Sequence, residues 1–307
     1  LEILNVPKIT KNIFLLPFQI FLIFYLILKS IFFLKRDKIE IVISTGGYMS
    51  LPLCLASKVL NIKLFLFEPN MVLGRSNKLF INYCEKIFCY SSKIKNFPNK
   101  LRNKICIIPA LLRKEFYNRN ETIMNNNRVI NLLIIGGSQG AKLFDTIVKK
   151  SIIELSKKYE LKIYQQINQD NLNNLKNFYQ KNKINNELFN FNSDISYFMS
   201  KSNLCLTRAG ASTLAELVFL NVPHLTIPLP TAKDNHQFEN AVFYNKLGCN
   251  WILNQNEIND DSLSKNLINI INNKDEYLDK KKQMKNFSYQ NTWNNINLKI
   301  ISTINEN

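Results

Sequence analysis

Eight glycines occur in 307 residues, against a usual frequency of roughly 7%, so the places that keep one carry information. Gly46 and Gly47 follow the apolar run 39–44 and precede a helix expected at 50–60. Gly136, Gly137 and Gly140 follow VINLLII and precede a helix expected from about Ala141, and Gly210 follows NLCLTR ahead of a third helix. A glycine turn from a strand into a helix leaves the first helical N–H groups unpaired, and with the macrodipole these hold phosphate oxygens. Three such turns point to phosphorylated ligands. Gly248, at the end of a helix over 235–247, reads as a C-terminal cap and carries no chemistry.

The segment Gly136-Gly137-Ser138-Gln139-Gly140-Ala141-Lys142 has neither the G-x-x-x-x-G-K-[ST] spacing of a triphosphate loop nor the G-x-G-x-x-G of a dinucleotide fingerprint. Ser138 can serve there as a helix N-cap or as a phosphate contact. Thr213-Leu214-Ala215-Glu216 has the spacing of a capping box. The two histidines, His224 in an apolar strand and His236 opening a helix, are too few and too separated for a metal site. The six cysteines (54, 84, 89, 106, 205 and 249) contain no C-x-x-C, which excludes the common zinc and redox motifs. Four of them lie in apolar runs, as buried reduced thiols would. Neither a metal nor a cofactor is expected.

The elements that position these turns alternate. Apolar runs near 39–44, 63–67, 86–90, 104–108, 129–135, 161–167, 187–191, 203–207 and 224–228 are separated by amphipathic stretches, the rhythm of βαβ units with parallel sheets. The polar, aperiodic segment Lys114–Arg128 is the expected linker. It divides an N-terminal domain, 1–114, from a second domain, 115–285, with a closing helix over 286–307 that can pack back on the first domain. The Asn- and Lys-rich end, 254–307, reads as two or three surface helices, and no internal repeat is visible.

The length and 46% hydrophobic content exclude a small stapled scaffold and a disordered tail. The net charge of +17 raises nucleic acid as a partner. The Lys excess is, however, spread along the chain with Asn and Ile as a compositional bias would spread it, and no zinc spacing, basic zipper or aromatic RNA-binding signature occurs. No nucleic acid is expected. From Ile13 to Leu34 the chain is nearly long and apolar enough to span a bilayer, but Pro17, Gln19, Lys29 and Ser30 interrupt it. This segment reads as a helix packed partly on a sheet, with an apolar face flanked by Lys11, Lys29, Lys35, Arg36 and Lys38 that dips into an anionic membrane surface.

Four segments in this order, 44–78 (STGGYMSLPL through LGRSNK), 132–145 (LLIIGGSQGAKLFD), 206–230 (LTRAGASTLAELVFLNVPHLTIPLP) and 233–241 (KDNHQFENA), resemble the bacterial MurG family. Its members are UDP-N-acetylglucosamine:undecaprenyl-pyrophosphoryl-muramoylpentapeptide N-acetylglucosaminyltransferases. The resemblance implies an α/β fold of GT-B type, with two Rossmann-like domains whose parallel sheets face a cleft and with the first domain incomplete. It also implies peripheral attachment at the cytoplasmic face of the inner membrane. The expected partners are UDP-N-acetylglucosamine, the undecaprenyl-linked muramoyl-pentapeptide and the anionic membrane.

The family's donor contacts fall on Asn70, Arg113, Ser138, Asn192, the stretch Ala211, Ser212, Thr213, Leu214, Ala215 and Glu216, and Gln237. By the same resemblance, Ser138 and Arg113 meet the diphosphate, Glu216 the ribose hydroxyls, Asn192 the uracil through backbone atoms, and Gln237 the sugar hydroxyls. Two departures stand out: the family's G-N-P-x-R is Pro109-Ala110-Leu111-Leu112-Arg113 here, and its H-E-Q-N is Phe67-Glu68-Pro69-Asn70. The family's usual base, a histidine in a G-G-T-G-G-H loop, has no counterpart within these 307 residues. The resemblance therefore implies that at least one βαβ unit lies outside them, and the catalytic residue is left open with Glu68 as fallback. Three other readings compete: a diacylglycerol-type glycosyltransferase of the same fold, a nucleotide-sugar-binding fragment without activity, and a non-hydrolysing epimerase, which would need acid/base carboxylates not found here.

Overall fold

The computed structural model describes residues 4–7, 14–119, 129–167, 169–190, 194–259 and 261–307, with backbone only at 137–143 and 169. Lys11, Asn192, most of the expected linker and the side chain of Ser138 lie outside the described residues. The chain divides into two compact units, 1–108 with 297–307, and 109–296.

The first unit opens with α1 (Leu16–Arg36), then β1 (Ile41–Ser44), α2 (Leu51–Val59), β2 (Lys63–Glu68), α3 (Arg75–Phe80), β3 (Ile87–Cys89) and β4 (Ile105–Ile107). The four strands are parallel in the order β1-β2-β3-β4. Their side chains alternate across the sheet, and Phe65 stacks on Phe88 with ring centroids 6.0 Å apart. The main neighbour of α1 is the helix α2, not the sheet that the sequence suggested. Its buried residues are Gln19, Leu26, Ser30 and Leu34; two of these four are polar, and the outward side is the more apolar one. Phe18, Phe21 and Phe24 are 65%, 67% and 57% exposed.

The second unit contains α4 (Lys114–Tyr117), β5 (Val129–Ile135), α5 (Gly137–Ser156), β6 (Glu160–Gln166), α6 (Leu172–Lys181), β7 (Asn185–Phe189), α7 (Ile195–Lys201), β8 (Leu204–Thr207), α8 (Ala211–Phe219), β9 (His224–Thr226), α9 (His236–Lys246), β10 (Trp251–Ile252), α10 (Ser262–Asn272) and α11 (Lys274–Ser288). The last helix, α12 (Trp293–Asn305), begins in this unit and passes to the first at Asn297. All six strands are parallel in the order β10-β9-β8-β5-β6-β7. On α5, Phe144, Val148, Ile152 and Leu155 recur at three- and four-residue spacing and meet Leu132 and Ile134 of β5 and Ile163 of β6 in the main core.

The nine expected strands all form, within a few residues of their anticipated limits. Two-residue β10 was not anticipated; Trp251-Ile252 is too short to show a period. Gly248 has φ +75° and follows α9, as a C-terminal cap requires. All six cysteines are free thiols, Cys106 being the one that is not fully buried.

Candidate active site

In the second sheet the chain runs outward from β5 to β7 and then returns to run outward from β8 to β10. The loops leaving β5 and β8 therefore diverge, and the crevice outside the carboxyl ends of those two strands is where open α/β sheets hold ligands. Gly136 follows β5 and Gly210 follows β8, so two of the three glycine turns meet at this switch point. The helix after Gly136 starts at Gly137, earlier than Ala141, because Gly136 itself takes the cap position. Gly140 thus lies in the first turn of α5. Gly210, extended at φ −68° and ψ 135°, plays the same part for α8, and neither helix start has a side-chain cap. Among the described residues no side chain caps their first-turn N–H groups, the arrangement that suits an anionic ligand.

The expected capping box on Thr213 and Glu216 does not form. With Gly210 as cap, Ala211, Ser212 and Thr213 are already helical, and Glu216 lies well inside the helix with Leu214 and Ala215 buried beside it. Glu216 is 5% exposed, and its Oε1 accepts a hydrogen bond of 3.0 Å from Nε of Arg113. Burial pushes the Glu216 carboxyl above its ordinary range, and the Arg113 guanidinium pulls it part of the way back. Its Oε2 has no hydrogen-bond partner among the described residues. Arg113 leads α4 in an extended conformation, lies 5.0 Å over the ring of Phe116 and 3.5 Å from Glu115. The guanidinium is thus oriented by α8 rather than free in a linker.

Gln237 is the second residue of α9, and its Oε1 accepts from the backbone N–H of Leu229 at 2.9 Å. Its amide N–H₂ is unpaired among the described residues. Just before it, Asp234 and Asn235 are both left-handed, with φ 54° and 56°; Asp and Asn tolerate that region better than other non-glycine residues. His236 Nδ1 lies 2.7 Å from the Lys233 carbonyl. His224 is a core residue, wholly buried with Nδ1 2.8 Å from the Val222 carbonyl; burial lowers its pKa to about 4.

Sequence reasoning missed Arg208. It is 6% exposed, its Nη1 donates to the carbonyls of Ile227 and Pro228, and its guanidinium lies 5.3 Å from the Phe144 ring centroid. It has no acidic partner among the described residues, so the buried cation adds positive potential close to both glycine turns. The signal was an arginine set directly after the apolar run of β8.

In the first unit, Glu68 ends β2 and is 2% exposed. Its Oε1 accepts from the N–H of Asn70 at 3.2 Å and from Asn70 Nδ2 at 3.1 Å. Its Oε2 accepts from the N–H of Gly74 at 2.7 Å and from Asn77 Nδ2 at 2.9 Å. Four donors fill the lone-pair positions of the carboxylate, so Glu68 holds the 68–77 loop in shape and is poorly placed to take a proton. A Cβ on Gly74 would come within 2.9 Å of Oε2, which accounts for a glycine there in a chain that has few. Asn70, expected to touch the donor, is turned to Glu68 in this arrangement.

Two α/β units, each a parallel sheet with a glycine turn at its carboxyl edge, define the class as a two-unit α/β protein of GT-B type. The family model for the glycosyltransferase family 28 C-terminal domain matches residues 131–294, and that for the family's N-terminal domain matches 2–89. The chain is 64% identical, over its whole length and 86% of the relative, to a UDP-N-acetylglucosamine–N-acetylmuramyl-(pentapeptide) pyrophosphoryl-undecaprenol N-acetylglucosamine transferase of Pelagibacter ubique (strain HTCC1062). A transferase of the same name from Rickettsia canadensis (strain McKiel) is 35% identical, over 80% of this chain and 71% of the relative. The crystal structure of Acinetobacter baumannii MurG superposes with a TM-score of 0.70 at 23% identity, covering 93% of this chain and 79% of that one. A UDP-GlcNAc 2-epimerase from Neisseria meningitidis shares the fold, with a TM-score of 0.67 at 16% identity over 99% of this chain and 84% of that one. The chain belongs to the MurG family of glycosyltransferases.

Proposed function

We propose that this chain moves N-acetylglucosamine from UDP-N-acetylglucosamine to the muramoyl sugar of undecaprenyl-pyrophosphoryl-muramoyl-pentapeptide, converting lipid I to lipid II in peptidoglycan synthesis. The observation that carries this reading is the 64% identity along the entire chain to the Pelagibacter ubique transferase. Fold alone would not choose between transferase and epimerase, which share this architecture.

In the transfer, the acceptor hydroxyl oxygen bonds to the anomeric carbon as the bond from that carbon to the diphosphate oxygen breaks. The hydroxyl proton goes to a base, and UDP leaves with the electron pair. The first turns of α5, with Ser138, and of α8, with Ala211, Ser212 and Thr213, are the proposed seat of the diphosphate. Arg113 presents its guanidinium to the charge that develops on the leaving group. Glu216 has Oε2 available for the ribose hydroxyls while Oε1 orients Arg113. Gln237 offers its amide N–H₂ to a sugar hydroxyl. Asn192 is proposed at the uracil, and Asn70 is proposed as a further contact to the donor. No base is assigned, since the donors around Glu68 argue against it.

On this reading the protein works at the cytoplasmic face of the inner membrane as a peripheral protein, and through the cell wall it serves cell shape and division. The outward aromatic face of α1 and its basic residues Lys29, Lys35 and Arg36 support attachment to anionic lipid. Product analysis tests the reaction. With labelled UDP-N-acetylglucosamine, the label is expected in a lipid-linked disaccharide-pentapeptide. Label in a diacylglycerol product, or as free N-acetylmannosamine or its UDP ester, would overturn the assignment.

A further inference from the structure

The donor site proposed above uses the first turn of α5, and one buried group on that helix has no part in it. Asp145 is 1% exposed. Its Oδ1 accepts from Gln165 Nε2 at 3.1 Å and its Oδ2 from Asn171 Nδ2 at 2.9 Å. Gln165 cannot turn its carbonyl to Asp145 without loss, because Oε1 already accepts from the hydroxyl of Tyr179 on α6 at 2.6 Å. Both neighbours therefore present N–H groups, and an acceptor-only carboxylate with two oxygens matches them.

The location gives the network its meaning. Gln165 pairs across the sheet with Ile134 of β5, and Ile134 stands two positions before Gly136. Asn171 opens α6, just beyond the carboxyl end of β6. Asp145 thus fastens α5 to the strand beside it and to the loop that follows that strand, beneath the glycine turn. The neighbouring Phe144 on the same helix has its ring centroid 5.3 Å from the guanidinium of Arg208.

We infer that Asp145 is a positioning residue for the nucleotide sugar: its two amide links fix the setting of α5 and so aim the first-turn N–H groups at the diphosphate. Burial raises the carboxyl of Asp145 above its ordinary range, and the hydrogen bonds from Asn171 and Gln165 bring it part of the way back. Its stabilising contribution is complete below the unfolded carboxyl range and is lost as pH rises through the raised value.

The test is calorimetric titration of the intact chain with UDP-N-acetylglucosamine, beside circular dichroism that establishes the folded state at the titration temperature. It rests on the proposed donor site. Asp145→Ala is expected to raise Kd roughly three- to tenfold, in line with the loss of about one hydrogen bond's worth of positioning. Asp145→Asn should bind within about twofold of the parent and melt no lower, since Asn171 can turn to offer its carbonyl and restore both links. Asn171→Ala removes one link while leaving the buried carboxylate, and a smaller rise in Kd is expected even where Asp145→Ala does not fold. An unchanged Kd in folded Asp145→Ala or in Asn171→Ala, or equal losses in the Asn and Ala variants, would overturn the inference. Absence of binding by the parent chain would instead overturn the donor site itself.

Discussion

Glu216 and Glu68 are both buried carboxylates, the one inside α8 and the other at the end of β2, and their surroundings give them different work. Glu216 has one guanidinium partner and one open oxygen, an arrangement that favours a ligand. Replacing it by Ala should weaken UDP-N-acetylglucosamine binding by about 1.5–3 kcal/mol, the range for hydrogen bonds to charged groups, as measured by calorimetry. Because burial raises its carboxyl in the folded state, the stability it contributes is present below the unfolded carboxyl range and lost as pH rises through the folded value. Glu216→Gln should therefore melt no lower than the parent at neutral pH while binding the donor less well; a large fall in melting temperature would count against this. Glu68, satisfied by four N–H donors, should behave in the opposite way. In Glu68→Gln an amide N–H₂ replaces one acceptor oxygen and faces donors, costing about 1–3 kcal/mol, visible in denaturant unfolding. A stable Glu68→Gln protein that has lost transfer alone would restore Glu68 as a base candidate.

At the level of elements, the sequence shows strands better than helix starts. Runs such as VINLLII and KLFLF are apolar on both faces, as central parallel strands are, and scarce glycines mark the turns after them. The beginnings of α5 and α8 are harder to read because a glycine can itself take the cap position, so a serine or threonine nearby, as at Ser138 and Thr213, is not the cap. The pair Arg113–Glu216 spans 103 positions, and no local pattern announces it. Family resemblance named both residues but assigned them separate ligands, whereas the geometry couples them. No local pattern announces the Asp145 network either, since its amides come from a strand and a helix start that only tertiary folding brings together.

Helix α1 carries the clearest prediction at this scale. Its outward side holds Phe18, Phe21, Phe24 and Leu28, each at least half exposed, and by length and composition it could also cross a bilayer. Polar replacement of Phe21, Phe24 and Leu28 should release the protein from anionic vesicles in high salt, because apolar area and basic charge act together at a membrane surface. Flotation assays should show the variant in the soluble fraction; retention after both salt and carbonate washing would indicate a helix that spans.

For the whole molecule, the two units repeat one architectural idea, a parallel sheet with helix N-termini at its carboxyl edge, while the chemistry differs between them. The second unit places two glycine-led helices, a buried arginine and the Arg113–Glu216 pair around the switch point between β5 and β8. These groups supply positive potential through helix ends and guanidinium ions, the service a divalent cation gives in other transferases. The most direct measurement is titration of the intact chain with UDP-N-acetylglucosamine in the presence of a metal chelator. Saturable one-to-one binding, competed by UDP and unchanged when a divalent ion is restored, is the expected result; no binding, or binding that returns only with the ion, would contradict it.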